Sequence, residues 1–217
     1  MATIGILIET EDGTAKEANF GVLTAARAQK ESTIVALLPN GSAEGVKDIL
    51  GKYGAHKVVQ LSAPEGDLEA SPYHQARSHA AAIENYNLDA MLGLASIQGR
   101  DRIARLAALM DLPLASDCLD IDVGAKTVRK SHFSGKTFAT VKLSGSIFLA
   151  TLRPNAIDAV EEPEDVTVES FSAPAKDTGM VKVVDVIKEA ADTVDLTEAS
   201  VIVTGGRPIA SADNYKI

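Results

Sequence analysis

Hydrophobic runs and helical patterns take turns along the first half of the chain. Ile4 to Ile8 is a short continuous apolar run, as expected of a strand buried on both faces. Lys16 to Lys30 is alanine-rich and carries Phe20, Leu23 and Arg27 at helical spacing. Thr33 to Leu38 predicts the next buried strand, closed by the turn signal Pro39-Asn40-Gly41. Ser42 is placed to cap a helix through Tyr53, with Val46, Ile49 and Leu50 on one face. Lys57 to Leu61 predicts a strand, and Ser71-Pro72 is a favoured N-cap and first-position pair for a helix over Tyr73 to Tyr86. Ala90 to Leu94 and Gln98 to Met110 add one more strand and helix. Four strand–helix units in succession predict an α/β fold of three layers. A mostly parallel sheet is expected, with helices on both faces.

The texture changes after Leu112. Ser116 to Val123, Thr127 to Ser134, Lys136 to Leu143 and Ser146 to Arg153 are strand-like, with Gly124, Gly135 and Gly145 where hairpin turns need them. An antiparallel extension of the parallel sheet is expected here. Val166 to Phe171 and Val181 to Val186 are expected edge strands, and 188–200 reads as a polar, acidic connector. Val201-Ile202-Val203 then reads as a buried strand leaving through Gly205-Gly206-Arg207, the way a nucleotide-binding unit begins. The expected organisation is an α/β domain over 1–187, a linker over 188–200, and over 201–217 the first strand and turn of a second domain. The chain is expected to stop just after that second domain begins.

Composition narrows the function. With 30 acidic against 21 basic residues the formal net charge is −9, which excludes a general binder of nucleic acid or anionic membranes. Hydrophobic residues make up 46% and charged residues 24%, the balance of a soluble globular protein able to bury a sizeable core. One cysteine, Cys118, excludes an internal disulfide framework and any multi-cysteine metal site. No apolar run approaches the ~18 residues of a membrane span, and Met1 to Ile8 lacks a basic leader, so a cytoplasmic protein without a targeting segment is expected.

Few residues carry chemistry. Ser134-Gly135-Lys136-Thr137 looks like the end of a phosphate loop, but Lys130 stands where that loop needs glycine. His74 and His79 are five apart, the wrong spacing for a metal pair on one helix face, and read as core or surface residues, as do His56 and His132. Cys118 reads as a buried structural thiol. Neither catalytic nor metal-binding residues are expected. Gly99-Arg100-Asp101 is expected to open a helix just past a parallel strand, where ligands of such sheets sit. Asp101 would cap the helix or complement its dipole, and Arg100 would meet an anion there or pair with a carboxylate of a neighbouring domain. Arg207 follows a Gly-Gly turn at the end of a strand, where a guanidinium and free N–H groups suit a phosphate or flavin.

These blocks carry a resemblance. Gly99-Arg100-Asp101 with Arg105 and Ala107-Ala108-Leu109, Ser116-Asp117-Cys118, Thr151-x-Arg153-Pro154-Asn155, and Val201 to Arg207 followed by Ser211 and Asn214 resemble the electron transfer flavoprotein alpha subunits, in order and spacing along the whole chain. The resemblance implies an FAD-dependent electron carrier, not an enzyme with its own substrate, working as a heterodimer with a beta subunit. It implies that electrons come from primary dehydrogenases such as the acyl-CoA dehydrogenases of fatty acid beta-oxidation. They would pass to a membrane-associated quinone oxidoreductase. In that family the N-terminal domain is a flavin-free scaffold packed on the beta subunit. The resemblance makes Arg207, presented by Gly205 and Gly206, the flavin contact of this chain, which is not expected to hold FAD alone. Pro208 stands where the family usually has glycine. A stand-alone adenine-nucleotide-binding domain is the alternative, since the related fold of the beta subunit binds AMP. Asp12-Gly13 and Asn40-Gly41 are sparse for such a loop.

Overall fold

The computed structural model describes residues 1–39, 41–62, 68, 71–172, 174, 184–185, 196 and 201–215. The chain divides into two compact units, Met1–Val186 and Ile187–Ile217. In the first, the strands and helices in chain order are β1 (Ala2–Leu7), the two-residue strands β2 (Thr10–Glu11) and β3 (Thr14–Ala15), α1 (Ala18–Arg27), β4 (Ser32–Leu38), α2 (Ala43–Lys52), β5 (Lys57–Ser62), α3 (Pro72–Tyr86), β6 (Ala90–Leu94) and α4 (Ile97–Met110). They continue with β7 (Leu114–Cys118), β8 (Asp120–Asp122), β9 (Thr127–His132), β10 (Thr137–Lys142), β11 (Phe148–Leu152) and β12 (Thr167–Ser172). The expected caps form: the Ser42 hydroxyl accepts from the Gly45 amide at 3.4 Å and the Ser71 hydroxyl from the His74 amide at 3.3 Å.

Seven strands make one all-parallel sheet in the order β12-β5-β4-β1-β6-β11-β7. Its two faces bury two separate cores. Ile4, Ile6, Leu92 and Phe148 meet Phe20 and Leu23 of α1 and Val46 and Leu50 of α2 on one side. Leu7, Leu37, Met91 and Leu149 meet Ala76 and Ile83 of α3 and Ile103 and Leu106 of α4 on the other. A continuous apolar run is what such a strand needs, because alternate side chains enter different cores. Each of these large side chains contributes about 1.5–3 kcal/mol by leaving water.

Three expectations are corrected. Ser146 to Arg153 does not continue an antiparallel meander. Its core, β11, lies between β6 and β7 and pairs parallel with both. All five residues of Phe148–Leu152 are buried, which suits a central strand and no surface hairpin. The antiparallel part is a separate three-stranded sheet, β10-β9-β8, whose Ile121 and Val128, with Leu143 just past β10, cover the α1–α2 side of the core. Secondly, α4 opens at Ile97, two residues before Gly99, capped by Ser96. Thirdly, Val201-Ile202-Val203 forms no strand and is 79%, 52% and 61% exposed. A strand needs a neighbour to take its amides and carbonyls, and no described residue of Ile187–Ile217 forms one. The expected edge strand at Val166 to Phe171 is present as β12. The one over 181–186, apart from Val184 and Asp185, and the connector over 188–200, apart from Leu196, lie outside the described residues.

Candidate functional site

Ligands of open parallel sheets sit where the strand order reverses, outside the carboxyl ends of the strands. Here the chain leaves β1 toward β4 and β5, then returns to β6 on the other side, so the reversal lies between β1 and β6. The protein fills that place itself. Glu9, just past β1, is buried and its Oε1 accepts from the Ser96 hydroxyl at 2.5 Å. Ser96 Oγ in turn accepts from the Gly99 amide at 2.9 Å. Asn19 of α1 fixes the Glu9 backbone from both sides, donating to its carbonyl at 2.8 Å and accepting from its amide at 3.1 Å. A side chain at Gly99 would run into the Leu94 carbonyl and stand 2.8 Å from Glu9 Oε1. The helix end that would cradle a phosphate is capped and faced by a carboxyl group, which disfavours an adenine nucleotide there. Sequence reasoning missed Glu9, Asn19 and Ser96. The available signal was a serine between a buried strand and a helix, with an acidic residue directly after the first apolar run.

Beside this closed crevice the separate sequence blocks meet. Asp117, with φ +60°, holds Arg153 through two hydrogen bonds of 3.1 and 2.9 Å and lies 3.6 Å from Arg100. The hydrogen bond from Arg153, with the positive charge of Arg153, Arg100 and Lys130, holds the Asp117 carboxyl below the usual carboxylate range. Arg153 also donates to Ser131 of β9 at 3.1 Å, and Arg100 donates to the Ala95 carbonyl at 2.7 Å. The Asp117 amide donates to Thr151 Oγ1, which lies 3.0 Å from Ser116 Oγ. Arg100 therefore pairs with a carboxylate of its own domain, not with an anion or with a neighbouring domain as expected, because Asp117 at the end of β7 reaches it first. Asp101 does not serve the helix end but takes Arg105 one turn on, at 2.9 Å. The cluster ties the ends of β7 and β11 to α4 and β9 and is structural.

The thiol and imidazoles are core groups. Cys118 is fully buried, and burial pushes its thiol up to about 11. At about pH 8 the native protein will therefore leave a thiol reagent unreacted until the chain unfolds. Labelling that is complete within seconds in the native state would contradict this. His74 and His79 are buried on α3, with His74 Nε2 2.8 Å from the Pro174 carbonyl and His79 Nδ1 2.6 Å from the Gln75 carbonyl. Among the described residues no group of His, Cys, Asp and Glu side chains is placed to hold a metal ion, and no helix is long and apolar enough to cross a membrane.

In the second unit, Arg207 begins a single helical turn, Arg207–Ile209, that includes Pro208. Gly205, Gly206 and Arg207 are exposed, and the Arg207 guanidinium makes no hydrogen bond or ion pair with a described residue. Ile209 and Tyr215 lie so close over Gly205 that a Cβ there would collide with both. Asn214 Nδ2 donates to the Ile209 carbonyl at 2.6 Å and ties the turn to the residues after it. The result is an uncommitted cation on a tight glycine turn, a fit for an anionic ligand group.

The chain matches the Electron transfer flavoprotein domain family over residues 4–205. It is 30% identical to the electron transfer flavoprotein subunit alpha of Bacillus subtilis (strain 168), covering 97% of this chain and 66% of that protein. The same subunit of Syntrophomonas wolfei is 29% identical, over 100% of this chain and 69% of the relative. That of Mycobacterium leprae is 30% identical, over 100% and 68%. The chain thus spans about two thirds of the length of these relatives.

Proposed function

Because the chain belongs to the electron transfer flavoprotein family, we propose that it serves as the alpha subunit of a heterodimeric electron carrier, partnered by a beta subunit. The observation that carries the reading is the family match from β1 to Gly205, together with named alpha subunits aligned along the whole chain. In this reading Met1–Val186 is the flavin-free scaffold and 201–217 is the opening of the FAD-binding domain. The electrons come from primary dehydrogenases such as acyl-CoA dehydrogenases and leave to a quinone oxidoreductase, in the cytoplasm.

When bound, FAD supplies the redox chemistry by taking up and releasing electrons. What the chain adds is position and charge. Arg207 is exposed and uncommitted, and a guanidinium offers a planar fork of N–H donors suited to an anionic group. Gly205 lets the turn fold under Ile209 and Tyr215. Arg207 would hold an anionic edge or phosphate of the flavin nucleotide. The closed crevice at Glu9 and Ser96 supports a scaffold role for the first unit over the stand-alone adenine-nucleotide alternative.

The test is FAD titration of the apoprotein of the full-length chain with its beta subunit. One FAD per heterodimer is expected, and Arg207→Ala should weaken it about ten- to hundredfold, the worth of one charge-assisted contact. A variant that only melts earlier while binding FAD as the parent does would make Arg207 a structural residue. A heterodimer that takes no flavin would overturn the function.

A further inference from the structure

A buried carboxyl group closes the crevice between β1 and β6, and no opposite charge accompanies it. Glu9 is 4% exposed and makes no ion pair with a described residue. Burying such a group without a cation is costly, so another source of positive potential has to hold it. Arg100, in the first turn of α4, is committed to Asp117 and to the Ala95 carbonyl. What Glu9 meets instead is the start of α4, a helix of 14 residues. Its Oε1 accepts from the hydroxyl of Ser96, the N-cap of that helix. Ser96 Oγ accepts from the Gly99 amide, and the Ile97 and Gln98 amides are bonded to no described residue. A hydroxyl, unbonded amides and the positive end of a helix dipole are what a phosphate group receives at such a place.

Space is the other constraint. Gly99 brings the helix so close that Glu9 Oε1 lies 2.8 Å from where a Cβ would stand, with the Leu94 carbonyl nearer still. The Glu9 backbone is pinned as well. Asn19 bonds both its amide and its carbonyl, and the Lys16 amide donates to the same carbonyl at 3.0 Å. Sites that take a nucleotide phosphate beyond a first strand leave the room to glycine. Here a side chain ending in two oxygens fills it.

We propose that the Glu9 carboxylate is the built-in occupant of an anion site at the start of α4, and that the crevice accepts a free phosphate group once this side chain is cut back. The class of ligand follows from the occupant: a compact oxyanion that accepts from one hydroxyl and from backbone amides. The crevice is thus closed by a single side chain and not by the fold. This holds whether or not the chain carries electrons, because Glu9, Asn19 and Ser96 lie in the first unit and Arg207 in the second.

The experiment follows amide hydrogen exchange of the full-length chain across 95–103, in inorganic phosphate and in chloride at equal ionic strength. In chloride, Glu9→Ala should exchange these amides about tenfold faster than the parent, and millimolar phosphate should restore most of the protection. Its melting temperature should rise by about 2–4 °C from chloride to phosphate, beyond any rise of the parent. Asn19→Ala loosens the same crevice but keeps the carboxylate, so phosphate should help it no more than the parent. Glu9→Gln keeps the shape without the charge. Its 95–103 amides should exchange faster than the parent's and ignore phosphate, because the side chain still fills the space. A Glu9→Ala chain that responds to phosphate no more than the parent, or an Asn19→Ala chain that responds equally, overturns the anion site. Should Glu9→Ala fail to fold in either buffer, Glu9→Gln decides. Exchange equal to the parent's would make Glu9 a packing residue and sink the proposal, whereas faster exchange confined to the first turn of α4 sustains it.

Discussion

Lowering the pH from 6.5 to 4 will cost the folded domain about 3 kcal/mol through one side chain, His79. His79 is buried on α3, and its Nε2 has no hydrogen-bond partner. Burial first, and then the charge of Arg102 on α4, hold the imidazole neutral and push it down to about 4, against the pull of the Gln75 carbonyl. His74 is the other titratable side chain buried on α3, and Arg102 also donates to Gln98 at 2.9 Å. Between pH 6.5 and 4 the unfolded chain binds a proton at His79 that the folded chain refuses, so stability rises with pH in that window. The contribution is complete above 6.5 and is lost as pH falls through 4. Urea unfolding of the parent and of His79→Leu at several pH values will isolate it, because carboxylate effects common to both cancel. The difference between the two proteins should grow by about 3 kcal/mol in favour of the variant from pH 7 to pH 4. A difference that stays constant with pH would mean that His79 titrates alike in both states.

Gly99→Ala will destabilise the domain by about 2–3 kcal/mol, although alanine is the better helix former by about 1 kcal/mol. The added methyl would meet the Leu94 carbonyl, which is backbone at the end of a central strand, and the buried Glu9 carboxyl. Neither can withdraw. Leu94 is paired to β11, and Glu9 is held by Ser96 and Asn19. The matched control is Gly45→Ala in α2, where the nearest atom to a new methyl is Ser42 Cβ at an ordinary 3.7 Å, so stability should hold or rise slightly. Denaturant midpoints of both variants, with unchanged slopes, decide it. If Gly99→Ala unfolded at the parent's midpoint, the tight closure of the crevice would be wrong.

The same contrast marks what could be read in advance. Ile4 to Ile8, Thr33 to Leu38 and Ala90 to Leu94 announced buried strands, and Ser42 and Ser71 announced helix starts, because a hydrophobic period and a cap are properties of neighbouring residues. Gly99-Arg100-Asp101, Ser116-Asp117-Cys118 and Thr151 to Asn155 were visible as blocks, yet nothing in their spacing said that Arg100, Asp117 and Arg153 would meet. That meeting depends on β11 entering between β6 and β7, a choice made by which strand can fill both cores at once. Glu9 and Ser96 were silent for the same reason, since they become partners across 87 residues only after β1 and β6 pair. Local chemistry along the chain determined most of the strands and helices of the first unit, the caps at Ser42 and Ser71, and the parallel sheet. The strand order, the closed crevice and the failure of Val201 to Val203 to form a strand were decided by tertiary structure, because each depends on a neighbour that no local pattern supplies.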